Sequence, residues 1–177
     1  DDAKPAWLCA GAVWKIPMRS TETIFALSTG HLPSGIAIIR MSGPGVRRAL
    51  EQVSGSVPAP RVARYGRLSF NGDLLDHGLA LFFPGPGSVT GEDCGEFHVH
   101  GSSAVVKGLV AALSSLNGFR LAEAGEFSRR AFLNGRMDLT AVESLSDLIA
   151  AETDQQRRLA LSGVSGKLRD ICLGWRY

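Results

Sequence analysis

Glu123-Ala-Gly-Glu-Phe-Ser-Arg-Arg-Ala-Phe-Leu-Asn-Gly-Arg-Met-Asp-Leu-Thr-Ala-Val-Glu143 is the stretch on which the reading of this chain turns. Before it, strand and helix patterns alternate. After it, the pattern is helical to the end. Ala124-Gly125 reads as a turn. Phe127, Ala131 and Phe132 fall at helical spacing, so a short helix is expected to bury them while Arg129 and Arg130 point outward or toward a ligand. Asn134-Gly135 ends that helix, since both residues tolerate the left-handed backbone of a helix terminus. Asp138 and Thr140 then offer caps for a second helix, and Thr140 with Glu143 has the form of a capping box.

Downstream, Leu139, Val142, Leu145, Leu148, Ile149, Leu159 and Ile171 continue one helical pattern. A helix of that length needs other helices to cover its apolar stripe. The chain stops at Trp175-Arg176-Tyr177 and opens on Asp1 rather than a start methionine, so a fragment or shortened form of a longer protein is expected.

Upstream, Thr23–Leu27 is a short strand pattern, and Ile36–Met41 is an apolar strand broken only by Arg40. Ser42-Gly43-Pro44 should open a helix, with Ser42 as cap, Pro44 in the first turn and Val46, Leu50 and Val53 on its buried face. Asn71-Gly72 is a hairpin signal between Arg61–Phe70 and Leu74–Phe83. Gly95–His100 alternates cleanly as a strand. Gly101–Leu116 is amphipathic, with Val105, Leu109, Ala112 and Leu116 on one stripe, and Phe119–Leu121 reads as a last short strand. Strands and helices mix without a strict βαβ rhythm, which points to an α+β class.

The 177 residues carry 45% hydrophobic and 20% charged side chains, values of a chain that can build a core. A net charge of +2 argues against a polybasic nucleic-acid grip as the chain's main purpose, leaving room only for a local patch. No apolar run reaches the length of a membrane span. Cys9, Cys94 and Cys172 are odd in number and have no metal-ligand spacing, which fits a reducing compartment. Residues 1–20 hold no acid after Asp2 but include Lys4, Lys15 and Arg19. They suit either a mitochondrial transit-peptide remnant or a tag or disordered terminus.

Glu96, His98 and His100 share one face of their strand. Three readings stand: a metal site, because two imidazoles and a carboxylate are common zinc ligands; a ligand-binding carboxylate flanked by imidazoles; or a solvated strand face. Arg40, inside an apolar strand, must find an anion, either a chain acid or a ligand's carboxylate or phosphate. Arg136 reads as an exposed turn residue or a second anion contact. Gly91-Glu92-Asp93 reads as a turn or cap rather than an acid–base pair. Gly163–Lys167 lacks the spacing of a phosphate loop, and no serine-hydrolase elbow is present.

Taken together, Thr23-Ile-Phe-Ala-Leu-Ser28, Gly35-Ile-Ala-Ile-Ile-Arg-Met-Ser-Gly43, Phe83-Pro-Gly-Pro86, Thr90-Gly-Glu-Asp-Cys-Gly-Glu-Phe-His-Val-His-Gly101 and Glu123–Ile149 resemble the amino-terminal part of the MnmE/TrmE-type tRNA-modification GTPases, mitochondrial branch. The resemblance implies a mixed sheet with packed helices, similar to tetrahydrofolate-binding domains, over residues 21–137. It implies the beginning of a helical domain over 138–177, with the GTP-binding domain absent. It further implies a homodimer, 5-formyltetrahydrofolate or 5,10-methylenetetrahydrofolate as one-carbon source, and an FAD-dependent partner protein. The whole assembly would modify C5 of the tRNA wobble uridine, with a taurinomethyl group in mitochondria. GTP, magnesium and potassium would belong only to the missing domain, so these residues alone are expected to hydrolyse no GTP. The family's folate contacts carry over onto Arg40, Glu96 and Arg136. Bacterial members usually have lysine at the place of Arg136 and glutamine at that of His98, and their Gly-Arg-Gly-Gly loop is here Gly30-His-Leu-Pro-Ser-Gly35. On the pterin, a ring N–H beside an exocyclic amine suits a carboxylate such as Glu96. The alternatives are a dimerisation scaffold without folate, or a metal hydrolase using Glu96, His98 and His100.

Overall fold

The computed structural model describes residues 21–164. Its strands are β1 (Thr23–Leu27), β2 (Ser34–Ser42), β3 (Arg64–Phe70), β4 (Asp73–Phe83), β5 (Cys94–Gly101) and β6 (Phe119–Leu121). They form one sheet in the order β3-β4-β5-β2-β1-β6. Every neighbouring pair is antiparallel except β1 with β6, so the sheet is mixed and the α+β expectation holds. Asn71 (φ 50°) and Gly72 (φ 90°) turn β3 into β4, both in the left-handed region that a tight type I′ hairpin requires.

Helices α1 (Val46–Ser54) and α2 (Ser103–Ser114) lie on one face of the sheet. The core between them joins Ile39, Met41, Phe82 and Phe97 from the strands to Val46, Leu50, Leu109 and Leu113 from the helices, all at most 1% exposed. Burying side chains of this size contributes about 1.5–3 kcal/mol each relative to exposure. The stripe on α2 is centred slightly differently from the expectation: Val106 and Leu113 join Leu109 and Ala112 at its centre, and Val105 lies at its margin.

Several local expectations are corrected. Ser42 does not cap α1; its hydroxyl turns to Thr90 and Glu92, and the N-cap position is Gly45, whose N–H is taken by Thr23 Oγ1 at 2.7 Å. α3 (Glu126–Leu133) buries Ala131 fully but leaves Phe132 44% exposed. α4 (Leu139–Ala150) is capped by Asp138, whose carboxylate accepts from Ala141 N, so the Thr140–Glu143 capping box does not form and Thr140 donates to Asp138 instead.

The single long helix also breaks. α4 ends at Ala150, and α5 (Asp154–Val164) packs beside it. The break is written in Thr153-x-x-Gln156. Gln156 N donates to Thr153 Oγ1 at 3.2 Å, while Gln156 Oε1 accepts from Thr153 N at 2.9 Å, a reciprocal capping box that starts a new helix. The leader reading of residues 1–20 and the extension of the helical pattern to Ile171 lie outside the described residues.

Candidate functional site

Strand register builds the second face of the sheet in rows. Leu79, His98 and Ile38 form one row; Leu81, Glu96, Arg40 and Ala26 the next; Phe83, Cys94, Ser42 and Ile24 the third. Because side chains alternate along a strand, these residues point away from the helix-covered core. Glu96 and Arg40 stand directly opposite each other, and Arg40 Nε meets Glu96 Oε1 at 2.9 Å. The other carboxylate oxygen, Oε2, meets His98 Nε2 at 3.0 Å. Burial pushes the Glu96 carboxyl up, but hydrogen bonds from His98 and Arg40 outweigh it and leave it below its ordinary range. The result is an ionised carboxylate, 14% exposed, held from two sides among the half-buried Leu79, Leu81 and Ile38. Each oxygen retains a further lone-pair direction for a ligand donor.

His100 does not join this pair. Its backbone N–H and ring Nδ1 both meet the Asp76 carboxylate, at 2.7 and 2.8 Å. Among the described residues no group of three His, Cys, Asp or Glu side chains is arranged to hold a metal ion. The three-ligand reading of Glu96, His98 and His100 is therefore corrected to a Glu96–His98 contact beside a separate His100–Asp76 pair.

The third row is closed by a buried polar network. Ser42 Oγ lies 2.7 Å from Thr90 Oγ1 and donates to Glu92 Oε2 at 2.8 Å. Arg130 donates to Glu92 Oε2 at 2.9 Å, to Glu126 Oε1 at 3.2 Å and to the Glu22 and Ser42 carbonyls. Arg120 forks onto both Glu126 oxygens at 2.7 and 2.8 Å. That fork, joined by Glu123 N–H and Arg130 and opposed by burial, holds the Glu126 carboxyl at about 2. Arg130 is thus a buried structural cation, 7% exposed in its side chain, and not an outward or ligand-facing one; Arg129, 60% exposed, does point outward. Glu92 and Asp93 do more than form a turn: Glu92 ties the loop to α3, and Asp93 accepts from Gly85 N and Arg47.

Asn134 completes the clamp by donating to the Thr90 carbonyl at 2.7 Å. The turn after α3 then sets the Arg136 side chain against Gly91, so close that a Cβ at Gly91 would lie 3.2 Å from Arg136 Cγ. The Arg136 guanidinium is exposed and has no hydrogen-bond or ion-pair partner among the described residues. The structure therefore joins Arg40 to Glu96 directly. It sets Arg136 against the loop leading into β5, near the Ser42–Cys94 row rather than on the ion pair itself.

Residues 23–136 match the family model described as GTP-binding protein TrmE N-terminus. The chain belongs to the TrmE N-terminal family. It is 61% identical over 156 residues to the tRNA modification GTPase MnmE of Brucella anthropi, covering 88% of this chain and 35% of that protein. It is 57% identical over 158 residues to the proteins of the same description from Brucella ovis and Brucella abortus, with the same coverage. The chain thus spans about a third of the length of these curated relatives. The TrmE N-terminal match takes in the whole sheet, α1 to α3, and all of Arg40, Glu96 and Arg136.

Sequence reasoning missed Glu126, Glu92 and Arg130 as a unit. Glu126 and Arg130 stand four residues apart, the spacing of a helical ion pair, so that half was detectable. Their link to Glu92 joins residues 38 apart and has no local signal.

Proposed function

We propose that this chain is the amino-terminal part of a tRNA-modification GTPase, where it binds a reduced folate and forms a homodimer. In this reading Glu96 accepts the paired donors of the pteridine ring. Arg40 and Arg136 serve carbonyl or carboxylate groups of the same ligand, which 5-formyltetrahydrofolate or 5,10-methylenetetrahydrofolate would present. The observation that carries it is an ionised, oriented carboxylate on the half-buried sheet face, with the Arg136 guanidinium, which has no partner among the described residues, on the turn packed against the adjoining loop. The donor set fits: a carboxylate pre-aligned by two neighbours loses little conformational entropy on meeting a planar donor pair. Isothermal titration with 5-formyltetrahydrofolate tests it. Glu96→Ala is expected to abolish measurable binding, and unchanged affinity would sink the assignment.

A second reading has its own observation. Both Glu96 oxygens already have partners within the chain, as in a purely structural ion pair. A dimerisation scaffold without folate would then remain. A stable dimer in analytical ultracentrifugation, with no heat of folate binding, would select it.

The wider role rests on the relatives' description as tRNA modification GTPases and, for its details, on the family resemblance of the sequence. The whole protein would carry a GTP-binding domain with its magnesium and potassium, and residues 138–177 would begin the helical domain that holds it. With an FAD-dependent partner protein it would modify C5 of the tRNA wobble uridine. The 177 residues alone are expected to hydrolyse no GTP, and turnover by the purified chain would overturn this. On location, the composition of residues 1–20 supports a mitochondrial setting and a taurinomethyl product, whereas identity near 60% to Brucella proteins supports a bacterial one. Import of a fusion carrying residues 1–20 into isolated mitochondria would select the first; failure to import would select the second.

A further inference from the structure

Among the described residues β3 is the outer strand of the sheet, with β4 on one side and no strand on the other. Edge strands expose unpaired backbone groups and are commonly guarded by charge. Here the guard is of one sign. Arg61–Phe70 carries Arg61, Arg64 and Arg67 and no acidic residue, although the whole chain is balanced to +2. All three arginines are exposed. Arg61 donates to the Gly87 carbonyl at 2.6 Å and Arg64 to the Ser56 hydroxyl, so both are steadied by neutral partners. None of the three forms an ion pair with a carboxylate among the described residues. Asp76, opposite Leu68 on β4, is committed to His100.

An aromatic ring stands in the same run. Tyr65 is 70% exposed and pairs with Leu79, which stands opposite His98 on β5. Tyr65 and Arg67, two apart on the strand, therefore face the same side as Glu96, while Arg64 faces the helix side and reaches Ser56. Cations on both sides of an edge, with a ring between them, match a flexible polyanion carrying flat bases better than an acidic protein surface. Guanidinium forks suit phosphate oxygens, and a tyrosine face stacks any base.

We infer that the β3 edge, through Arg61, Arg64, Tyr65 and Arg67, is a contact surface for the sugar–phosphate backbone of single-stranded or looped RNA. The choice of RNA rests on the tRNA reading above; the uncompensated cationic edge does not. Contact through three phosphates predicts that affinity falls about 20-fold between 50 and 200 mM salt, since the slope of log K against log salt is about −0.7 per phosphate for single strands.

The test is fluorescence anisotropy with the full chain and a labelled 17-nucleotide RNA hairpin, run across that salt range. Arg64→Gln/Arg67→Gln is expected to weaken binding at least tenfold at 50 mM salt and to lower the salt slope by more than half. Tyr65→Ala should weaken binding several-fold with the slope intact, whereas Lys107→Gln, on α2, should match the parent chain. Polyglutamate of equal charge should compete poorly. Absent binding at 50 mM salt, an unchanged double variant, or polyglutamate competing as well as RNA would each overturn the inference, the last by favouring an acidic protein partner. Circular dichroism and 5-formyltetrahydrofolate titration of the same double variant keep the readings apart. Folate binding retained with RNA binding lost supports the surface, and RNA binding retained in Glu96→Ala does so whatever becomes of the folate site.

Discussion

Glu126→Gln probes the deepest electrostatic feature of the fold. Glu126 is 3% exposed, and its carboxylate meets the Arg120 fork, Arg130 and the Glu123 N–H. Those donors hold its carboxyl at about 2, against an ordinary value of 4.5. A gap of that size corresponds to about 3 kcal/mol of stability at neutral pH. Arg120 is 35% exposed and can turn to water when its partner goes, and Arg130 keeps Glu92, so the expected loss is about 2–3 kcal/mol. Glutamine preserves the volume but offers one acceptor where several donors converge, and it points an amide donor at two guanidinium groups.

The sign of the pH dependence follows. A carboxyl whose folded value is depressed contributes fully above its unfolded value and loses that contribution as pH falls toward the folded one. The parent chain should therefore exceed Glu126→Gln by a constant margin above about pH 5.5, and the margin should shrink steadily toward pH 2. Urea unfolding followed by circular dichroism at pH 7, 5, 4 and 3 measures it, with equal m-values required for the comparison. A difference under about 1 kcal/mol at pH 7, or one that stays flat down to pH 3, would refute the claim that this ion cluster stabilises the fold.

Three other outcomes are expected. Gly78→Ala should cost about 1–3 kcal/mol in the same urea assay, because a Cβ there meets the His98 backbone carbonyl on the neighbouring strand, which cannot give way cheaply. Thr153→Ala removes one arm of the capping box that begins α5, so amide exchange of residues 154–157 should accelerate roughly fivefold, in keeping with a cap worth about 1 kcal/mol. Arg40→Ala removes one of the two partners that hold the Glu96 carboxyl down; carbon-13 NMR titration of that carboxyl should show its midpoint rise, and an unmoved midpoint would show that His98 alone sets it.

How legible these features were depends on how local their causes are. Short apolar or alternating runs mark the strands, so the β1 range Thr23–Leu27 agrees to the residue, and Asn71-Gly72 specifies its own hairpin. The Glu96–Arg40 pair was half legible: a cation within an apolar strand demands an anion, but only strand register selects Glu96 over Glu92. The errors arose where two local signals competed. Ser42 looks like a helix cap because it precedes Gly-Pro, yet two residues from another loop outbid the helix for its hydroxyl. Thr140 looks like a capping box until Asp138, two residues earlier, takes the first turn's N–H.

Polar burial explains why α3 is the least legible helix, although its stretch is the one on which the reading of the chain turns. Hydrophobic periodicity finds helices that bury apolar stripes, and α3 buries Glu126 and Arg130 alongside Ala131 while leaving Phe132 and Leu133 more than two-fifths exposed. Its attachment is carried by charges whose partners come from Glu22 just before β1, from β2 and from the 90–93 loop. A buried charge is tolerable only when its partners are fixed beforehand, so α3 can dock in one register alone. That register fixes the turn at Asn134-Gly135, and with it the approach of Arg136 to Gly91. The placement of this exposed cation thus depends on a concealed ion cluster, and loosening the cluster should disturb Arg136 before it disturbs the Arg40–Glu96 pair, which the sheet holds by itself.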